Sequence, residues 1–414
     1  MQSPKYSVVI PTYNHCEKYL KPCIDSIIKY TEMTDIELVI SANGCTDNTE
    51  AYLNYLHTAI PNLIMVWDDK PLGFAKAVNE GIKRSTCNKI VLLNNDTLLL
   101  EQPKNQWLNR LDDYHADIST VLTQYSPITK QNFGVFFCTM IDKKVFYAIG
   151  GLDESFETGG CEDIDFCYRA DQNGFSIVNV GYKGDFPIYH VAEGTVHDPN
   201  LVQDWKQKFY ANELRLAKKW NLEHYRYLLS NNYERAVFLK GDPVFPRETT
   251  RYQWASKNIS DELVLEIGCS TGYGIQFFSS KLFYIGLDYD PIIVEVAKDQ
   301  NWTNACAFIQ ADINTFGFAF YKNIIAFEVI EHLDNGLEIV EMLKTKCQRL
   351  LISVPHNEPK GFWGEHHKLH GLTEKDFPGF QFVYINHAGE ISDVIQDITP
   401  ENPSNLMLCR WDNE

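Results

Sequence analysis

The apolar residues of this chain come in short, β-branched runs, and most runs stop at a turn of Asn, Asp or Gly before a stretch of helical period begins. "YSVVIPTYN" reads as strand then turn, "EKYLKPCIDSIIKYT" as helix, and "IELVISANG" as strand then turn. "TDNTEAYLNYLHTAI" is again helix, "NLIMVWDD" strand, "GFAKAVNEGIKRS" helix and "KIVLLNND" strand. Such alternation leaves few folds open: it predicts an α/β, doubly wound sheet whose ligands sit beyond the carboxyl ends of the strands. From about residue 241 a second series follows: "LVLEIGCSTGYG", "FYIGLDYD", "CAFIQAD", "NIIAFEVIEHL", "RLLISVPH", "FQFVYINH" and "NLMLCRW". These seven strand candidates predict another open α/β sheet, and neither half repeats the motifs of the other. Two α/β domains are expected, 1–198 and 241–414, joined by a helical linker, 199–240.

In that linker "LVQDWKQKFYANELRLAKKW" has helical period, with Val202, Trp205, Phe209, Leu216 and Trp220 towards one face and lysines elsewhere. A helix packed between domains is the simpler reading; a basic amphipathic helix on an acidic membrane surface is the alternative. "KGDPVFPRETTRY" marks the boundary by its Pro and Gly. No run approaches the ~18 apolar residues of a membrane span, and "MQSPKYSVVIPTYN" lacks the charged-then-apolar order of a signal peptide. A formal net charge of -18 weighs against broad nucleic-acid binding, which needs a basic surface. The 11 cysteines are scattered, with neither CxxC nor Cys/His zinc spacing, so reduced thiols and a cytoplasmic location are expected.

Polar residues gather where the first strands surface. "VLLNNDTLLL" breaks an aliphatic run with Asn94, Asn95 and Asp96, leaving a carboxylate at a strand end. "GGLDESFETGGCEDIDFCYRADQNGF" sets Glu162, Asp163 and Asp165 at the start of a helical pattern, where carboxylates also serve simply as caps. "FPIYHVAEGT" puts His190 after an apolar strand, a place that interior histidines often fill.

In this order, "SVVIPTYN", "NGCTDNT", "PLGFAKAVNEGI", "LLNNDT" and "GGLDESF…CEDIDFCYRA" resemble family 2 glycosyltransferases of GT-A fold, most of all their rhamnosyltransferase-like branch, over about residues 5–195. The resemblance implies that Pro11, Thr12, Tyr13, Asn43, Asp47 and Asn95 hold a nucleotide sugar. It puts Asp96 and His190 on a divalent cation, Mg2+ or Mn2+, bridging the donor diphosphate. Asp163 becomes the general base that deprotonates an acceptor hydroxyl. An inverting displacement needs that base and needs the leaving diphosphate neutralised. Glu162 would raise the proton affinity of Asp163 if both point into the cleft, and Asp165 is the rival base. Two positions depart from the pattern. Asn94 stands where a first metal carboxylate is usual, and Ala42 where many relatives have an Asp near the nucleobase, so base and sugar stay open.

In the second half, "VLEIGCSTGYG" is a strand entering a glycine turn, and Asp288, Asp312, Glu328 and Glu331 follow at strand ends. Each acid alone reads as a helix cap, and the glycine spacing fits GxGxxG poorly, which disfavours a nicotinamide site. As a set, with "RETTRYQWA" and "LLISVPH", they resemble class I S-adenosylmethionine-dependent methyltransferases over about residues 245–414. The resemblance implies a seven-stranded Rossmann-like fold. In it Glu266, Gly268 and Gly272 wrap the methionine part of the cofactor, with Ser270 replacing a usual glycine. Asp288 takes the ribose hydroxyls, Asp312 the adenine, and Glu328 completes the cofactor set. His332 is placed to be the base for an acceptor hydroxyl. "GEHHKLHGLT" offers His366, His367 and His370 for substrate contact; a metal there lacks the support of helix phase or a Cys ligand.

The expectation is a bifunctional glycan-assembly enzyme: one domain adds a sugar to a glycan or lipid-linked glycan, and the other O-methylates a sugar hydroxyl. A lipid-linked acceptor would bring it to the cytoplasmic membrane face. The alternatives keep the transferase with a binding or structural second module, or the methyltransferase with a carbohydrate-binding first one.

Overall fold

The computed structural model describes residues 3–156, 159–181, 186–192, 205–232, 237–259, 263–362, 366–396, 398–400 and 404–413. The chain forms two compact units, Met1–Asn232 and Tyr233–Glu414.

The first unit has β1 (Tyr6–Thr12), β2 (Ile36–Asn43), β3 (Leu63–Asp68), β4 (Lys89–Leu93), β5 (Thr97–Leu99), β6 (Ile118–Thr120), β7 (Thr123–Ser126), β8 (Gln131–Gly134), β9 (Cys138–Asp142), β10 (Ile177–Asn179) and β11 (Ile188–His190). Its helices are α1 (Lys21–Tyr30), α2 (Thr49–Ala59), α3 (Phe74–Arg84), α4 (Gln106–Asp112), α5 (Lys143–Ile149), α6 (Glu162–Gln172), α7 (Trp205–Trp220) and α8 (Leu222–Asn232). The main sheet runs β10-β6-β9-β4-β1-β2-β3. β1 is parallel to β2 and β4, whereas β9 is antiparallel to both β4 and β6. Alternation along β1 sends Val8 and Ile10 into one apolar cluster and Val9 into another, so both faces are covered. Gly81 lets α3 lie close on β1, because a Cβ there would meet Val9 Cγ1 at 2.5 Å.

Two features depart from the sequence reading. His190 does not follow its strand but ends it, in β11, which pairs antiparallel with β5 and sets His190 opposite Thr97. The expected linker, 199–240, contains α7 and α8, and these belong to the first compact unit. The reason is local: Asn212 Nδ2 donates to Gly159 O at 3.1 Å, and Lys219 and Trp220 both reach Asp165. Val202, with 199–204 and 233–236, lies outside the described residues.

The second unit has α9 (Pro246–Asn258), α10 (Pro291–Asp299) and α11 (Gly336–Lys344) against β12 (Leu263–Ile267), β13 (Phe283–Asp288), β14 (Cys306–Gln310), β15 (Tyr321–Phe327), β16 (Cys347–Pro355), β17 (Gln381–Ile385), β18 (Ile391–Ser392) and β19 (Leu406–Asp412). Strand order is β14-β13-β12-β15-β16-β19-β17-β18, with β12 to β16 parallel and β19 antiparallel to both neighbours. Each of the seven sequence candidates is a strand. The eighth, β18, is two residues on the sheet edge, too short to stand out as an apolar run. Leu265, Ile267, Ile324 and Ala326 fill one face, and Val264, Ile325 and Phe327 the other. Among the described residues no helix is long and apolar enough to cross a membrane.

Candidate functional site

In the first unit the loops leaving β1, β2 and β4 meet at the carboxyl edge of the sheet. Asn14 and His15 take left-handed backbone angles, with φ of 55° and 57°, so the chain turns sharply out of β1. Asn14 Oδ1 accepts from the backbone N–H of Thr46 at 2.7 Å and of Asp47 at 3.3 Å, joining the first loop to the second. Asn14, His15, Thr46 and Asp47 line an open depression there.

The structure gathers the residues expected to hold a nucleotide, and it employs several of them internally. Asn95 Nδ2 donates to Thr12 Oγ1 at 2.8 Å. Asn43 spans two loops, donating to Thr12 O at 3.2 Å and accepting from Leu72 N at 2.8 Å. Asp47 accepts from Cys16 N at 2.8 Å and from Thr49 N at 3.2 Å. Burial opposes ionisation of Asp47, but those donors outweigh it and hold its carboxyl below the usual range. Asn43 and Asp47 therefore shape the loops with their side chains. Pro11 is buried and Tyr13 partly exposed beside them.

Asp96 and His190 come together: His190 Nε2 lies 3.1 Å from Asp96 Oδ1, and the backbone of Val191 donates to Asp96 O at 3.1 Å. Asn94 Nδ2 is 3.5 Å from His190 Nε2, while Asn94 Oδ1 is buried with no hydrogen-bond partner among the described residues. Phe137 stacks on the His190 ring, with centroids 4.3 Å apart and planes 8° from parallel.

Phe136, the next residue back, directs its backbone N–H at the Asp163 carboxylate, which also accepts from Ile164 N at 2.8 Å. The Phe136–Phe137 pair thus touches His190 on one side and Asp163 of α6 on the other. Glu162 is buried with Oε2 unpartnered among the described residues, and Asp163 is partly exposed. Burial pushes the Asp163 carboxyl up against its two backbone donors; burial and the charge of Asp163 push Glu162 up as well. Asp165, the rival base, is fully buried and engaged. It accepts from Arg169 Nε at 2.8 Å, Trp220 Nε1 at 2.8 Å and Lys219 Nζ at 2.7 Å. Sequence reasoning missed Phe136 and Phe137; two aromatics at a strand start carry no chemical signal of their own.

Residues 7–148 match the family model described as Glycosyl transferase family 2. The first unit carries a family 2 glycosyltransferase domain. Among curated relatives, the glycosyltransferase AglE of Haloferax volcanii is 32% identical over 108 residues, 26% of this chain and 34% of its own length. The glycosyltransferase GlyA of Streptococcus pneumoniae serotype 4 is 25% identical over 253 residues, 57% of this chain and 34% of its own. The chain thus spans about a third of the length of these relatives. Of solved structures, the plantazolicin methyltransferase BpumL in complex with SAH is 16% identical, covering 50% of this chain and 99% of its own, at a TM-score of 0.34, too low to bear on the second unit.

Beyond the glycosyltransferase domain, the second unit sets its candidate residues at the carboxyl ends of β12 to β15. Asp288 is buried, with Oδ2 accepting from Ser270 N at 3.0 Å and Oδ1 from Asp290 N at 3.1 Å. Asp312 is exposed just past β14, holding Asn314 N at 2.8 Å. Glu328 follows β15 with φ of 52° and accepts from Ser353 Oγ at 3.1 Å. Gly268 and Gly272 both have positive φ, and their missing side chains are filled by Val329 and Phe308. The Glu266 carboxylate is taken by the hydroxyls of Tyr252 and Tyr284. Burial raises it to about 7 even against those donors. His332 is exposed after β15, its Nδ1 3.3 Å from His366 O.

Proposed function

We propose that the first unit transfers a sugar, with inversion, from a nucleotide-sugar donor to a hydroxyl of a glycan or lipid-linked glycan. The observation that carries this reading is the Asp96–His190 pair, linked through Phe137 and Phe136 to the raised carboxyl of Asp163. The family 2 match and the names of the relatives agree with it. A Mg2+ or Mn2+ ion suits the donor set: a carboxylate and an imidazole 3.1 Å apart beside the unpartnered Asn94 Oδ1. When bound, such an ion supplies positive charge that stabilises the departing diphosphate.

The chain's own residues do the rest. Asp163, held by two backbone N–H groups, accepts the proton of the acceptor hydroxyl at its free lone pairs. An elevated carboxyl serves that task, because a base works best with its pKa near the operating pH. Thr12 and Asn95 face the donor as one hydrogen-bonded unit. Nucleoside diphosphate release from a panel of nucleotide sugars, with and without Mn2+, tests the reading. Release that survives Asp96→Asn unchanged at every Mn2+ concentration overturns it.

For the second unit, the reading is an S-adenosylmethionine site serving O-methylation of a sugar hydroxyl. It is supported by strand order β14-β13-β12-β15, which puts the switch point between β12 and β15, where doubly wound sheets bind ligands. Asp288 ends the neighbouring β13, buried, and a carboxylate is the group that can accept from both hydroxyls of a ribose diol. The cofactor supplies an electrophilic methyl group when bound. Glycosyl transfer alone, with the second unit as a binding module, remains the competing function and predicts no cofactor binding.

A further inference from the structure

The turn after β15 and the loop carrying "HHKLH", residues 366–370, converge on a cluster that neither proposed activity requires. Glu331, His332 and His367 each bring one donor atom to within 4.8 Å of the others. Glu331 is fully buried, and both its carboxylate oxygens lack a hydrogen-bond partner among the described residues. A buried carboxylate without partner or counterion is costly, and a bound cation is one way to remove that cost. The two imidazoles are held in the orientation that ligands need. His367 Nδ1 donates to Glu358 Oε2 at 2.7 Å, and Glu358 is itself buried. His332 Nδ1 lies 3.3 Å from the His366 carbonyl. A carboxylate behind His367 and a carbonyl behind His332 fix how the two rings are turned, as such groups do behind metal-binding histidines. The backbone holds the two segments together: Lys368 N and Leu369 N donate to Glu331 O at 2.7 and 3.0 Å.

We propose that Glu331, His332 and His367 form a binding site for a divalent transition metal, Zn2+ by preference, with Glu358 as the positioning residue behind His367. Two imidazoles and one carboxylate are borderline donors that suit Zn2+ better than Mg2+ or Ca2+. Three protein ligands leave one position for water or a substrate oxygen. The site does not rest on the methyl-donor reading. It does compete with a base role for His332, because a metal-bound Nε2 cannot take up a proton.

Co2+, which reports its coordination by visible absorption, is the probe. Full-length protein is stripped with a chelator, freed of it and titrated with Co2+, as wild type and as Asp96→Asn, so that a cation in the first unit is counted separately. Asp96→Asn protein should bind one equivalent with the bands of a four- or five-coordinate ion, and Zn2+ should displace it. Glu331→Gln, His367→Gln and His332→Gln should each weaken binding about 100-fold or more, and Glu358→Gln about 10–100-fold with all three donors intact. His332 is exposed, so its variant tests the site even if the buried substitutions compromise folding. Absence of the bands in Asp96→Asn protein, or affinity unaltered by His332→Gln, overturns the proposal.

Discussion

Asp163 and Asp165 lie on the same helix, and the proposed base role of Asp163 gives their substitutions opposite consequences. Asp163→Asn leaves the backbone donors of Phe136 and Ile164 an amide oxygen to bond, so the fold should survive. It removes the proposed proton acceptor, and loss of a positioned base costs about 10²–10⁴-fold in kcat, roughly 3–5 kcal/mol of transition-state stabilisation. Asp165→Asn instead strips the counter-charge from Arg169 and Lys219 while Trp220 also contacts the site. Breaking a buried pair costs about 3–5 kcal/mol. Lys219 is 33% exposed and keeps Asp153 at 2.8 Å, so the lower end applies, about 3 kcal/mol. For a unit of this size that is a fall of about 6–12 °C in its melting transition. The assay pairs nucleoside diphosphate release at saturating donor, well below the melting point, with a calorimetric melt. Asp163→Asn should lose turnover with Tm nearly unchanged; Asp165→Asn should lose Tm with turnover per folded molecule nearly intact. The reverse pattern would make Asp165 the base and refute the assignment.

Other perturbations have equally definite outcomes. Glu266 is raised from 4.5 to about 7 by burial, so its contribution to stability is fully present below about pH 4.5 and is lost as pH rises through 7. Denaturant melts of wild type should lose up to about 3 kcal/mol relative to Glu266→Gln between those limits; parallel curves would show that the carboxyl titrates normally. Phe137→Ala removes the ring against His190 and should raise the Mn2+ concentration needed for half-maximal release, with Tm lowered by the lost burial. An unchanged Mn2+ requirement would mean that the stack does not orient the histidine. Asp288→Ala should abolish calorimetrically measured S-adenosylmethionine binding, and a wild-type protein that binds none would leave the second unit as a module without that cofactor.

The alternation of apolar runs and helical stretches was enough to determine two α/β units, because each strand buried on both faces must be apolar along its length and must end at a polar turn. Asp96, Asp163 and Asp288 stood out as candidates for the same reason: a carboxylate at the end of a core strand or helix interrupts a pattern that burial otherwise enforces. What the sequence could not settle were matters of pairing between distant segments. β11 reads as any apolar strand, and only its pairing with β5 brings His190 to Asp96. Asp163 and Asp165 are equivalent in spacing, and α7, expected in a linker, separates them by delivering Lys219 and Trp220 to Asp165. The glycines of the β12 turn were visible in the sequence, but that Val329 and Phe308 pack beside them was not. Glu266 stood out as a strand-end acid, but the donation of Tyr252 and Tyr284 to it could not be read from the sequence. Local pattern fixes which residues must be buried or must turn; which polar groups then satisfy one another, and which are left over for a ligand, is decided only when the chain has folded.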